Sequence, residues 1–167
     1  MNASINNLPR KLRVTSSGFT LIELMVTIAV LAIIVGIAAP NISTQLANQR
    51  VKSTAATLAN ALKEAKVESI LRRQNVEVVY NPTTSKKIIL KANGNEISNY
   101  NLSDKSIVTQ TITPSTTTKI IFQPNKKIAN NATVVYTICD DGSNSETPKQ
   151  VSLTNIANIN TINAGSC

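Results

Sequence analysis

From Phe19 the chain runs apolar with little relief. Between Phe19 and Ala39, 21 residues, Glu23 is the only charged side chain, and that length is about what a helix needs to cross the hydrocarbon core of a bilayer. After Pro40 the pattern changes. "NISTQLANQRVKSTAATLANALKEAKVESILRRQN" has no Gly or Pro, and Ile42, Leu46, Ala55, Leu58, Leu62, Ala65 and, less regularly, Ile70 recur at spacings near three and four, the mark of an amphipathic helix. Asn41, Arg50, Lys52, Lys63, Glu64 and Lys66 fill its other faces. The pattern predicts one long helix from about Phe19 to Arg73, apolar in its first half and amphipathic in its second. It is weakest from Gly36 to Pro40, because proline lacks a backbone donor and clashes with the carbonyl four residues earlier. That weakness allows either a kink or a stretch that extends.

From Val76 the period shortens to two. "VEVVY", "KKIILKA", "EISNYNL", "SIVTQTIT", "TKIIFQ", "ATVVYTIC" and "QVSLTNI" are short β-branched runs separated by turn residues, and they predict strands. Asn93-Gly94 between two such runs is a hairpin signal. Asn81-Pro82, Thr113-Pro114, Gln123-Pro124 and "DDGSNSETP" at 140–148 mark further connections. The expected fold class is α+β: a long N-terminal helix, apolar half then amphipathic half, packed on an antiparallel β-sheet head.

Charge adds an orientation to the apolar run. The 167 residues carry 17 Lys and Arg against 9 Asp and Glu, a net charge of +8. Three of the cations, Arg10, Lys11 and Arg13, precede the run with no acid among them, so the positive-inside rule keeps the N-terminus in the cytoplasm and exports everything after Pro40. Without those three the balance is 14 to 9, or +5, a modest bias that permits an acidic partner without requiring one. A secretory signal cut at Gly36-Ile37-Ala38 is a rival reading. Two features oppose it. A carboxylate inside the apolar region would cost about 2.5 to 3.5 kcal/mol if central and less near an end, and the helical pattern continues past Pro40.

Composition narrows the chemistry. Histidine is absent, which removes imidazole metal sites and His-dependent triads. Two Phe, three Tyr and no Trp leave no base-stacking platform. No nucleophile, base and oxyanion set can be assembled, so neither enzyme activity nor a cofactor is expected. Cys139 and Cys167 are the only thiols and Cys167 ends the chain. They are read as one disulfide, with two free buried thiols as the alternative. Closing that loop contributes roughly 3 to 4 kcal/mol in the chain-entropy treatment, and such bonds persist outside the reducing cytoplasm.

Gly18-Phe19-Thr20-Leu21-Ile22-Glu23-Leu24-Met25 resembles the class III signal of type IV prepilins and pseudopilins. The resemblance implies cleavage between Gly18 and Phe19 by a prepilin peptidase, N-methylation of Phe19, and retention of the apolar helix. The chain then divides into a leader (1–18), a transmembrane or filament-core helix (19–40), the amphipathic half of the helix (41–75) and a β-sheet head with the C-terminal disulfide loop (76–167). Cleavage gives Glu23 a role. A carboxylate at low dielectric needs a cationic partner, and the new amine of Phe19 lies one helical turn away, in the same subunit or in its neighbour during assembly. A glutamate snorkelling to the headgroups is the plain alternative. The resemblance also implies that the weak segment Gly36–Pro40 can extend when subunits leave the membrane, with a simple kink as the alternative.

"EAKVESILRRQNVEVVY", Glu64 to Tyr80, resembles the helix-to-strand junction of the FimT, FimU and GspH group. This implies a minor type IV pilin, held in the bacterial inner membrane with its head in the periplasm and then incorporated into an extracellular pilus, near a tip complex that primes assembly. Its implied partners are other minor and major pilins, the prepilin peptidase and the inner-membrane assembly machinery. A GspH-like pseudopilin of type II secretion is one alternative, and a DNA-binding competence pilin another. The C-terminal Gly-Arg-x-Arg element associated with DNA capture is missing, since "NIANINTINAGSC" has Gly165 and no arginine. Lys86, Lys87, Lys126 and Lys127 would form a nonspecific phosphate-binding patch if hairpin tips brought them together; scattered solvated lysines are the ordinary alternative. Asp140, Asp141, Asn144 and Glu146 offer hard oxygen ligands, but without the alternating acids of an EF-hand. A polar turn is the preferred reading, and no metal is expected.

Overall fold

The computed structural model describes residues 18–82, 86–143 and 145–167, with the side chains of 38–41 outside that description. The leader cations Arg10, Lys11 and Arg13, and Asn144, therefore fall outside the described residues. Helix α1 spans Leu21–Arg72 and its helical assignment continues through Gly36 and Pro40. The chain nonetheless divides there into two compact units, residues 1–38 and 39–167.

In the first unit α1 opens with a cap. The Glu23 backbone N–H donates to Thr20 Oγ1 at 3.2 Å, so Thr20 satisfies one of the amides that a helix start leaves unpaired. Every side chain from Gly18 to Ile37 is exposed, including Leu24, Met25, Val30, Leu31, Ile33 and Ile34. A helix apolar on all sides is stable only when a membrane or other helices surround it. Among the described residues no single helix is long and apolar enough to cross a membrane alone; Leu21–Ile37 and Ile42–Arg72 meet that requirement only taken together.

The second unit holds the core. Along α1, Ala47, Val51, Thr54, Ala55, Leu58, Ala61, Leu62, Ala65 and Ser69 are buried, one stripe at helical spacing. Full burial of Val51, Leu58 and Leu62 contributes about 1.5 to 3 kcal/mol each. Periodicity alone starts this stripe at Ile42 and Leu46, and the structure corrects it, since those two are 57% and 53% exposed. Side chains of α1 hold the head at Asn48 and Arg50, and the buried line enters at Ala47.

Among the described residues eight strands form two antiparallel four-stranded sheets. One is ordered β3-β2-β1-β5, with β1 Val76–Asn81, β2 Lys87–Ala92, β3 Asn95–Asn101 and β5 Ile120–Phe122. The other is ordered β4-β6-β7-β8, with β4 Ser106–Thr113, β6 Thr133–Asp140, β7 Lys149–Leu153 and β8 Ile159–Asn163. Alternate burial in β2, with Ile88, Leu90 and Ala92 inward, is the period-two signal made visible. Asn93 and Gly94 both take positive φ, 51° and 82°, as a tight hairpin between β2 and β3 requires. Tyr80 Oη donates to the Val108 carbonyl at 3.3 Å and joins the sheets. Tyr136 of the second sheet is wholly buried, and burial pushes its phenol well above the ordinary range. β8 is an addition to the seven expected strands: "INTIN" alternates, but its polar residues hide the signal.

Candidate functional site

Three places concentrate chemistry. The first is the start of α1, where Glu23 sits exposed in the first turn and its own amide is held by Thr20. An acid there is favoured by the helix dipole, and the Thr-x-x-Glu spacing is a helix-start signal that the apolar run around it obscures. Gly18 and Phe19 are exposed just ahead of the helix, and Gly36 has open space around it.

The second is the disulfide end of the head. Cys139, in β6, is bonded to Cys167 across 28 residues. Beside it the guanidinium of Arg50 grips Asp140 bidentately, Nε to Oδ1 at 2.7 Å and Nη2 to Oδ2 at 2.8 Å. The Asp140 side chain is fully buried and that of Arg50 is 35% exposed. The hydrogen bond from Arg50 holds the Asp140 carboxyl below the usual carboxylate range, and Asp140 in turn raises the Arg50 guanidinium. Around the pair, the Asp140 amide donates to Glu146 Oε1 at 3.1 Å, the Thr147 amide to Asn48 Oδ1 at 2.8 Å, and the Asp141 amide to the Lys105 carbonyl at 2.7 Å. The loop is thereby pinned to α1. A cleft of about 470 Å³ opens beside it, lined by Ile107, Glu146, Pro148 and Cys167 among others.

Sequence alone does not reveal this pair. By spacing, Arg50 belongs to a solvated helix face and Asp140 to a turn or an oxygen-ligand set. Both carboxylate oxygens of Asp140 accept from Arg50, so the pair clasps the loop to α1. Among the described residues no group of three or more His, Cys, Asp or Glu side chains is placed to hold a metal.

The third is the lysine set. Lys87 pairs with Asn81 at the far end of β1, whereas Phe122 pairs with Val76 at its start and leads into the turn carrying Lys126 and Lys127. Roughly 16 Å of strand separates the two ends. The single patch of Lys86, Lys87, Lys126 and Lys127 considered from the sequence is therefore not assembled. The Lys86 ammonium is also turned inward, donating to the carbonyls of Asp104 and Ser106.

Comparison with known proteins bears on the family and the fold. Residues 13–39 match the prokaryotic N-terminal methylation motif, and residues 54–156, most of the head and its helix, match the model of type II transport protein GspH. The chain belongs to the GspH family. Similar folds occur in the type IV minor pilin FimU of Pseudomonas aeruginosa, in two crystal forms: 15% and 16% identity, TM-scores 0.58 and 0.56, covering 71% and 70% of this chain and 96% and 98% of FimU. The minor pseudopilin EpsH of Vibrio cholerae is similar too, at 12% identity and TM-score 0.55, covering 70% of this chain and 99% of EpsH. No curated protein matches significantly in sequence. The chain is thus a type IV minor pilin or pseudopilin of the FimT/FimU/GspH type with the pilin fold, a structural component and not an enzyme. Its methylation motif and apolar helix fit a pilin anchored in the membrane before assembly.

Proposed function

We propose that the chain is a minor pilin incorporated into a type IV pilus, where it joins a tip complex that primes assembly. The observation that carries this reading is the apolar helix, exposed on every side up to Ile37 and led by a single carboxylate, Glu23. Such a helix needs other helices around it once it leaves the membrane. Prepilin peptidase cuts between Gly18 and Phe19, Phe19 is N-methylated, and Glu23 offsets the amine of Phe19 in its own or a neighbouring subunit. Gly36 and Pro40 mark where the helix yields on extraction. The domain boundaries are those read from the sequence: leader to residue 18, core helix to 40, amphipathic half to 75, head to 167. The head stays periplasmic until assembly carries it outside. Its neighbours are other minor and major pilins.

The match to type II transport protein GspH favours a second reading, a pseudopilin of type II secretion. Deleting the gene separates the two. Loss of sheared surface pili with secretion intact is the expected result; loss of secreted enzymes with pili intact would transfer the protein to the secretion system. DNA capture has less behind it, given the separated lysine pairs.

A further inference from the structure

Sheet order leaves β8 at an edge, and that edge is an unfilled slot. In β7–β8 pairing, the Thr154 amide donates to the Asn158 carbonyl and the Ala164 amide to that of Pro148, each at 2.9 Å. With the register Leu153↔Ile159, Val151↔Thr161 and Lys149↔Asn163, the alternation of an antiparallel ladder turns the N–H and C=O groups of Ile159, Thr161 and Asn163 away from β7. Among the described residues no other strand pairs with that outer side.

Alongside this edge lies α1, and between them runs a groove of about 330 Å³ lined by Ala55, Ala56, Ala59 and Thr161, with Lys52 and Lys63 among its other residues. The alanines make a shallow apolar floor, and both lysines are exposed. A fifth strand beside β8 would lie over that floor. Lys149 reaches back to Asn163 Oδ1, and Lys66 donates to the Ala157 carbonyl at 2.8 Å, so two further cations sit on the same side of the head. The acids of this helix segment do not share it: Glu64 accepts from Tyr100 of β3, in the other sheet, and Glu68 pairs with Arg72.

We propose that the outer edge of β8 binds an extended, acid-bearing segment of a neighbouring filament protein, which adds a fifth strand to this sheet. Main-chain hydrogen bonds to Ile159, Thr161 and Asn163 supply the affinity, small apolar side chains meet the alanine floor, and carboxylates meet Lys52 and Lys63. A duplex fits less well, because its rigid backbone cannot reach strand amides beside an alanine-floored slot, and no aromatic side chain lines the groove for a single strand to stack on. That the partner belongs to a filament rests on the minor-pilin reading. The slot itself does not, so its test uses the isolated protein and is independent of piliation.

The probe is a fluorescent heptapeptide alternating glutamate and valine, titrated into the detergent-solubilised full chain, with a lysine-valine peptide and a short DNA duplex as parallel arms. The glutamate peptide is expected to bind, more weakly as salt rises. Thr161→Pro removes one outward amide without touching the β7 ladder and is expected to weaken binding roughly fivefold. The exposed pair Lys52→Glu/Lys63→Glu, which asks nothing of the β8 backbone, is expected to abolish the preference for glutamate over lysine. Binding unchanged in both variants, binding of the duplex alone, or no binding of the glutamate peptide at low salt would each overturn the proposal. In the last case the lysines serve only to keep a bare edge soluble.

Discussion

Arg50 and Asp140 stand 90 positions apart and close on each other with two hydrogen bonds. The pair is lopsided: the carboxylate is buried and the guanidinium is partly in water. Removing one partner of a buried pair is costly when the remaining charge has no solvent to turn to. Arg50→Ala, which strands the carboxylate, is therefore expected to lower the urea midpoint far more than Asp140→Asn, which leaves an arginine free to hydrate. Acid should remove that difference. Arg50 holds the Asp140 carboxyl below its unfolded value, so the pair's contribution is complete above about pH 4 and is lost as pH falls through the lowered folded value. Urea midpoints of the wild type and both variants, taken at about pH 7 and again well below pH ~4, should converge at the acid end. An equal gap at both pH values would contradict this assignment.

Among elements, α1 carries both the exposed apolar segment and the buried stripe that meets the head. Its boundaries are legible because the signals are local: an unbroken apolar run, then alternating alanines, leucines and charges, then Arg72 and Arg73 before a β-branched stretch. The strands β1 to β7 are legible for the same reason, down to the Asn93-Gly94 turn. Features set by distant partners are not. Ile42 and Leu46 fit the helical period as well as Ala47 and Val51 do, and only the position of the head, tied to the helix at Asn48 and Arg50, decides which line is covered. β8 is hidden because a strand of Asn and Thr is recognised by its neighbour β7, not by its own residues. The clasp between Arg50 and Asp140 leaves no trace in spacing. A pair of truncations tests the corrected stripe. Leu58→Ala, at a fully buried position, should cost about 2 to 5 kcal/mol of head stability. Leu46→Ala, more than half exposed, should stay within about 0.5 kcal/mol of wild type. Equal losses by chemical denaturation would return Leu46 to the stripe.

At the scale of the whole molecule the chain divides into an exposed apolar helix and a head with its own core. The Cys139–Cys167 bond fixes the end of the chain to β6, and β8, the cleft and the clasp all lie within or against that loop. Opening it by Cys139→Ser/Cys167→Ser is expected to cost roughly 3 to 4 kcal/mol. The double variant should melt at a lower temperature than the oxidised wild type, and reductant should reproduce the loss. A double variant as stable as the wild type would show that β8 needs no tether. The exposed apolar helix demands a different environment from the head. In the function proposed above, cleavage turns Phe19 into a new N-terminus one turn from Glu23, and the helix passes from membrane to filament. Peptide mass spectrometry of sheared pili tests this most directly. The expected result is a peptide that begins at N-methylated Phe19 and is scarce beside that of the major subunit. A peptide beginning at Ala39, or none from this chain in the filaments, would contradict it.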